Sequence, residues 1–246
     1  MLMASRGYLV CLPRQWRAKG LRREMAAQMS PNEEDLIARH KLKVTPTEIA
    51  TIPLLVIEPP NLASEHEGKI LLNFFGGGVI MGSARERAAL LMAAEMRIRV
   101  YSVEYSKAPE SRYPVARDEA FAAYRELNIY GMGSSAGAQI LVLMLLVAHS
   151  EGIPMPARLF LCTPALDLSG AGDSMVSNEG RDIMPASFLS AMVQRNYQPN
   201  DIDLTDPLYS ELLVSEGMLH GFNWSETLPE AFQLRKTVEE FLASSL

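Results

Sequence analysis

Covalent and metal frameworks are what this chain most lacks. Its 246 residues include two cysteines, Cys11 and Cys162, and four histidines, His40, His66, His149 and His220. Two cysteines so far apart do not make a disulfide scaffold; they read as buried free thiols, which points to a reducing, cytoplasmic setting. No CxxC pair, HExxH run or cluster of histidine with acidic residues offers a metal site, so no metal and no cofactor is expected. Basic charge is also scarce. Lys and Arg number 23 against 29 Asp and Glu, a net charge of −6, and no basic face interleaved with aromatics appears in the body of the chain, which argues against nucleic acid. An apolar run of the roughly 20 residues that a membrane-spanning helix needs is missing as well. Internal repeats and low-complexity tracts are absent too.

What is present suits one globular unit. With 48% apolar residues the chain can bury one sizeable core, so residues 1–246 are expected to form a single domain. The N-terminal stretch 1–45 stands apart, because Arg6, Arg14, Arg17, Lys19, Arg22 and Arg23 all precede the first acid, Glu24. Its apolar centre, 8–12, is too short for a signal peptide, and the stretch reads as an amphipathic arm. Beyond it, strand-like runs at 52–57, 69–75, 98–104, 128–133, 158–162 and 212–214 alternate with helix-like runs at 85–96, 115–127, 136–149, 185–197 and 229–242. Such alternation predicts an α/β fold, a mostly parallel sheet with helices on both faces. The methionines between 81 and 96 read as core packing.

Within that pattern, Gly131-Met132-Gly133-Ser134-Ser135-Ala136-Gly137 lies between a strand-like and a helix-like run. Gly133-x-Ser135-x-Gly137 is the spacing of a nucleophile elbow, in which small neighbours let a strained turn lift a serine hydroxyl clear of the sheet. Three fixed positions at ordinary frequencies recur by chance about 0.08 times in a chain of this length, so context must carry the reading. The first support is Gly76-Gly77-Gly78, which follows the strand-like run 69–75. Unshielded backbone N–H groups in such a loop, with that of Ala136 after the serine, can hold an oxyanion, so Gly76, Gly77 and Ala136 are the candidate donors. A phosphate cradle of the GxxxxGK[ST] type is disfavoured because neither Lys nor Ser/Thr closes the loop. The second support is His220, flanked by Leu219 and Gly221 after a late strand-like run, where a general base belongs in the order Ser, acid, His. His40 and His66 lie in charged, polar stretches and read as surface residues, and His149 reads as a helix cap.

On these residues the chain resembles the hormone-sensitive-lipase family of α/β-hydrolase esterases. The likeness extends to Glu104-Tyr105-Ser106-Lys107-Ala108-Pro109-Glu110, Tyr113-Pro114, Gly180-Arg181-Asp182, Asp206-Pro207 and Glu216-Gly217-Met218-Leu219-His220-Gly221-Phe222, in the family's order. It implies an α/β-hydrolase sheet, an N-terminal cap segment, catalysis by Ser135 and His220, and a small-molecule ester substrate. Three departures stand out. Phe75 replaces the usual His, Ser134 replaces the usual Asp, and Tyr209-Ser210 runs straight into Glu211-Leu212-Leu213-Val214, where the family has an acid-bearing strand and a helix. One late strand and helix are therefore expected to be missing, and 127–128 is an unusually tight junction. Asp167, Asp201, Asp203, Asp206 and Glu211 remain as carboxylates, and no spacing selects one as the third catalytic member. Glu216 belongs to the family's own pattern before the His. The expected function is a serine carboxylesterase acting on short acyl esters or related lactones, weakened by loss of its acid. The alternative is a non-catalytic member that binds a small ligand, as plant gibberellin receptors do in the wider family; a deletion product without activity is a third reading. A missing strand would expose a sheet edge, so homodimers or aggregation are expected.

Overall fold

The computed structural model describes residues 14–125 and 130–166, with positions 191, 193, 195–198 and 236. In chain order the elements are α1 (Arg14–His40), β1 (Lys43–Ile49), β2 (Ile52–Glu58), a 3-10 turn at Ser64–His66, β3 (Ile70–Phe74), α2 (Arg87–Met96), β4 (Arg99–Val103), α3 (Val115–Arg125), β5 (Tyr130–Ser134), α4 (Ala136–Ser150) and β6 (Leu159–Cys162). The six strands make one sheet in the order β1-β2-β4-β3-β5-β6. β1 and β2 pair antiparallel, as do β2 and β4, while β3, β4, β5 and β6 run parallel. The strand expected at 212–214, nearly all of the helices expected at 185–197 and 229–242, and the junction at 127–128 lie outside the described residues.

Side-chain alternation divides the core between two faces. Leu72, Phe74 and Val103 point toward α3 and α4, where they pack with Ala116, Ala120, Ile140 and Met144. Leu71, Val100, Tyr130 and Met132 point the other way, onto α2 and Leu36 of α1. That period of two is what a strand buried on both sides imposes, and it explains why the parallel strands read as apolar runs. Met92 and Met96 are buried on the α2 side and Met81 on the other, so the methionine-rich stretch is core, as expected.

Two features depart from expectation. β1 was not foreseen, and the 1–45 arm therefore ends inside the sheet, since 43–45 are already strand. β1 is polar, mostly exposed and interrupted by Pro46, so it carries no apolar period; its hairpin turns through Ala50 and Thr51, at φ 49° and 67°, without the Asn-Gly signal such turns favour. His66, expected on the surface, is 1% exposed in its 3-10 turn, because the polar run around it folds back onto the end of α2, with the Ala63 N–H donating to the Arg97 carbonyl at 2.9 Å.

The strand order locates the crevice. From β3 the chain moves through α2 to β4 on one side, and from β5 through α4 to β6 on the other, so connections diverge between β3 and β5. In open parallel sheets ligands bind beyond the carboxyl ends of the strands at such a switch point. β3 ends at Phe74 opposite Gly133 of β5, which places the triple-glycine loop beside the turn that carries Ser135.

α1 docks on this end of the sheet. Arg22 donates from Nε to the Ile80 carbonyl at 2.6 Å, from Nη2 to the Ala108 carbonyl, and from both Nη atoms to Glu110. The Arg85 guanidinium meets Glu34 at 2.7 Å, and Ala18 is buried among Phe75, Val79 and Ile80. The basic N-terminal stretch thus uses one arginine to bind carbonyls that would otherwise lack donors, a contribution that outweighs its exposed ion pairs, worth about 0–1 kcal/mol each.

Candidate functional site

Ser135 is the residue between β5 and α4, and its backbone sits at φ 52°, ψ −119°. A non-glycine residue in that region is strained and persists only where its surroundings over-determine it. Here they do. The Ser135 N–H donates to the Cys162 carbonyl at 2.9 Å, and the Ser135 carbonyl accepts from Ala138 at 3.1 Å, Gln139 at 3.3 Å and Ala165 at 3.3 Å. The flanking glycines are required by space. A Cβ on Gly133 would lie 2.5 Å from the Ala138 Cα, and one on Gly137 would run into the carbonyl oxygens of Phe74 and Phe75. The elbow and the end of β3 are therefore in direct backbone contact.

The triple-glycine loop is held from several sides. Gly77 has φ 120°, and a Cβ there would meet the Met81 carbonyl oxygen at 2.5 Å; Gly78 follows at φ 61° and Val79 at φ 59°. A β-branched residue at positive φ is a rare outlier, and with Ser135 it makes two strained residues on adjacent loops. Ile80 and Met81 donate to the Gly77 carbonyl, and Ala108 donates to the Val79 carbonyl at 2.8 Å. Phe75, where the family has His, stacks on Tyr105 with centroids 4.0 Å apart, and the Tyr105 hydroxyl donates to the Phe75 carbonyl at 2.6 Å. Among the described residues the N–H groups of Gly77, Gly78 and Ala136 have no hydrogen-bond partner, whereas the Gly76 N–H points at the Glu86 carboxylate, 3.4 Å away.

Glu86 belongs to a polar band beneath these loops that the sequence reading missed. Strand parity sets Ser102, Asn73, Ser134 and Cys162 on the α2 side, at the carboxyl ends of their strands, and all four are buried. Glu86 caps α2 over this band. Asn73 Nδ2 donates to Glu86 Oε1 at 3.0 Å and to Ser102 Oγ at 2.8 Å, while Asn73 Oδ1 and Ser134 Oγ have no partner among the described residues. Burial pushes the Glu86 carboxyl up to about 7, against the opposing pull of the Asn73 and Gly76 hydrogen bonds. It also pushes the Cys162 thiol up to about 12 and the Tyr105 hydroxyl well above its ordinary range. The available signal was an acid in an otherwise apolar helix start just past a glycine-rich loop, but Arg85 and Arg87 around it read as an ordinary charged surface.

The structure brings together Ser135, Ala136, Gly76 and Gly77, all at the carboxyl ends of β3 and β5. His220 and all six acids, Asp167, Asp201, Asp203, Asp206, Glu211 and Glu216, lie outside the described residues. His40 and His149 close the last turns of α1 and α4, where a cation suits the helix dipole. Cys162 is a free, buried thiol, and Cys11 lies outside the described residues.

Two measurements test this geometry. Gly77→Val should lower any Ser135-dependent rate by about 100-fold or more by displacing its N–H donor, and should lower the thermal midpoint too, because its Cβ would meet the Met81 carbonyl oxygen; a variant that simply unfolds would make the glycines a packing requirement. Glu86 should make stability fall with pH. Its proton is held up to about pH 7 in the fold, whereas the unfolded chain releases it near 4.5, so stability from this group is complete below pH 4.5 and is lost between 4.5 and 7. The loss is on the order of 3 kcal/mol, and Glu86→Gln should flatten this part of a denaturation-versus-pH curve.

Comparison with known proteins agrees with the geometry. A family model described as the alpha/beta hydrolase fold matches residues 71–228. An esterase of Acinetobacter venetianus is 30% identical over 155 residues, covering 58% of this chain and 51% of that protein. The hormone-sensitive lipase of Mus musculus is 26% identical over 156 residues, covering 57% of this chain and 21% of that protein. This chain thus spans about half the length of the first and a fifth of the second. The crystal structure of an esterase E25 superposes with a TM-score of 0.84 at 23% identity, covering 97% of this chain and 89% of that one. With a strained serine between two obligatory glycines, set against a glycine loop at the switch point of a parallel sheet, and with the family model matched over residues 71–228, this chain belongs to the alpha/beta hydrolase fold family.

Proposed function

We propose that this chain is a carboxylic ester hydrolase that acts by acyl transfer on small-molecule esters. The observation that carries the proposal is Ser135 held at φ 52° beside the Gly77, Gly78 and Ala136 N–H groups. Ser135 attacks the ester carbonyl while His220 takes its proton. The oxyanion is received by Gly77 and Ala136, with Gly76 as the anchored end of the donor loop. His220 then protonates the departing alcohol, and water releases the acid by the same steps in reverse order. Short acyl esters or lactones are the substrate class proposed. The loss of the acid-bearing segment expected from the sequence implies slow turnover, since an unoriented imidazole costs on the order of 10,000-fold in the protease case.

The experiment is hydrolysis of p-nitrophenyl acetate by the full chain and by Ser135→Ala and His220→Ala. Both variants should lose the activity nearly completely, because residues that act as a unit do not lose it additively. Retained turnover in Ser135→Ala would falsify the assignment. The same lack of an acid-bearing segment favours a second reading, small-ligand binding without catalysis. It predicts that a fluorophosphonate leaves Ser135 unlabelled, whereas the hydrolase reading predicts slow labelling.

The buried free thiol of Cys162 supports a reducing, cytoplasmic location, and no helix among the described residues is long and apolar enough to cross a membrane. β6 has a strand neighbour on one side only among the described residues, with Leu159 36% exposed on it, which supports self-association through an edge. Sedimentation velocity should show a homodimer at micromolar concentration; a monomer with a cooperative, high-temperature transition is the contrary result.

A further inference from the structure

We propose that Glu86 is the positioning residue of the oxyanion loop, tying the Gly76 N–H and Asn73 to the buried band below Ser135, and that its neutral form is the productive one. The inference rests on the hydrolase reading above and concerns the same site.

Three observations carry it. Glu86 is 7% exposed, and its two oxygens take Asn73 Nδ2 at 3.0 Å and the Gly76 N–H at 3.4 Å, so one carboxyl joins the end of β3 to the first glycine of the loop. The loop has other anchors, to Tyr105, Ala108 and Arg22, but these hold carbonyls. Among the described residues Glu86 is the side chain that accepts an N–H of the glycine loop, and so it pins the Phe75–Gly76 peptide from which the Gly76–Gly77 peptide turns. Finally, Asn73 Oδ1 lacks a partner among the described residues. Turning the Asn73 amide over would let Oδ1 accept from both Ser102 and a protonated Glu86, with Nδ2 then in the unpartnered position, so the one amide can serve either protonation state of Glu86.

Charge decides which form serves catalysis. An ionised Glu86 would place a buried negative charge at the foot of a loop whose task is to receive another, and in a water-poor site that repulsion is poorly screened. A neutral Glu86 still accepts from Gly76 and adds no such charge. The groups facing it do not offset this. Glu33 on α1 is itself acidic and buried, with Arg85 opposing its charge; Tyr105 beyond β4 and Cys162 on β6 both stay neutral through burial. The Arg85 guanidinium is engaged with Glu34.

The test uses the full chain, Glu86→Gln and Glu86→Ala, with p-nitrophenyl acetate as substrate from pH 5.5 to 9. Wild-type kcat should decline about tenfold as pH rises through neutrality, after the rise caused by His220 losing its proton. Glu86→Gln should keep the rise and lose the decline, with KM within about twofold. Glu86→Ala should lower kcat at every pH by about 10- to 100-fold, and amide exchange over 75–82 should accelerate by at least tenfold. A decline that persists unchanged in Glu86→Gln, or undiminished kcat and unchanged exchange in Glu86→Ala, would overturn the proposal. If Glu86→Ala does not fold, Glu86→Gln decides. Should the wild type lack Ser135-dependent turnover altogether, the hydrolase reading falls; exchange over 75–82 still reports whether Glu86 holds the loop, and equal exchange in wild type and Glu86→Ala would sink this inference by itself.

Discussion

The contact on which the site depends is the approach of α4's first turn to the end of β3, where Gly137 stands against the carbonyl oxygens of Phe74 and Phe75. No side chain fits there. Because the helix can come that close, Ser135 can leave β5 in a strained conformation and still be fastened by its N–H donating to the Cys162 carbonyl and its carbonyl accepting from the Ala165 N–H. The same closeness brings the glycine loop alongside Ser135. Strain at Ser135 and Val79 is retained because packing on both faces of the sheet leaves no relaxed alternative.

Around that contact the molecule separates its duties by face. The α3 and α4 side is almost wholly apolar and provides rigidity. On the α2 side the apolar layer ends, at the top of the strands, in a polar band of Ser102, Asn73, Glu86, Ser134 and Cys162. Buried polar groups of this kind are costly unless paired, and the two atoms among them without a partner among the described residues, Asn73 Oδ1 and Ser134 Oγ, lie next to the elbow and the glycine loop. The carboxylate of this layer comes from Glu86, on the helix rather than the strand. The N-terminal arm closes the arrangement from above, since one arginine spans Ile80, Ala108 and Glu110.

Much of this was legible in the residues themselves. Local rules suffice where a signal is local: a two-residue period marks each parallel strand, a glycine-serine-glycine spacing marks the elbow, and three consecutive glycines mark a loop with open N–H groups. Those features determined the α/β fold, the identity of Ser135 and the loop that faces it. Tertiary structure alone decided the rest. β1 exists because its backbone finds β2, not because its side chains call for a strand, and His66 is buried because a distant helix end receives its turn. Glu86 matters because strand parity gathers Asn73, Ser102 and Ser134 from three strands under one helix N-terminus. Partners that are far apart in the chain leave no periodic trace in it, so the direction in which Gly76 points, and the carboxyl it points to, could be known only once the strands were laid side by side.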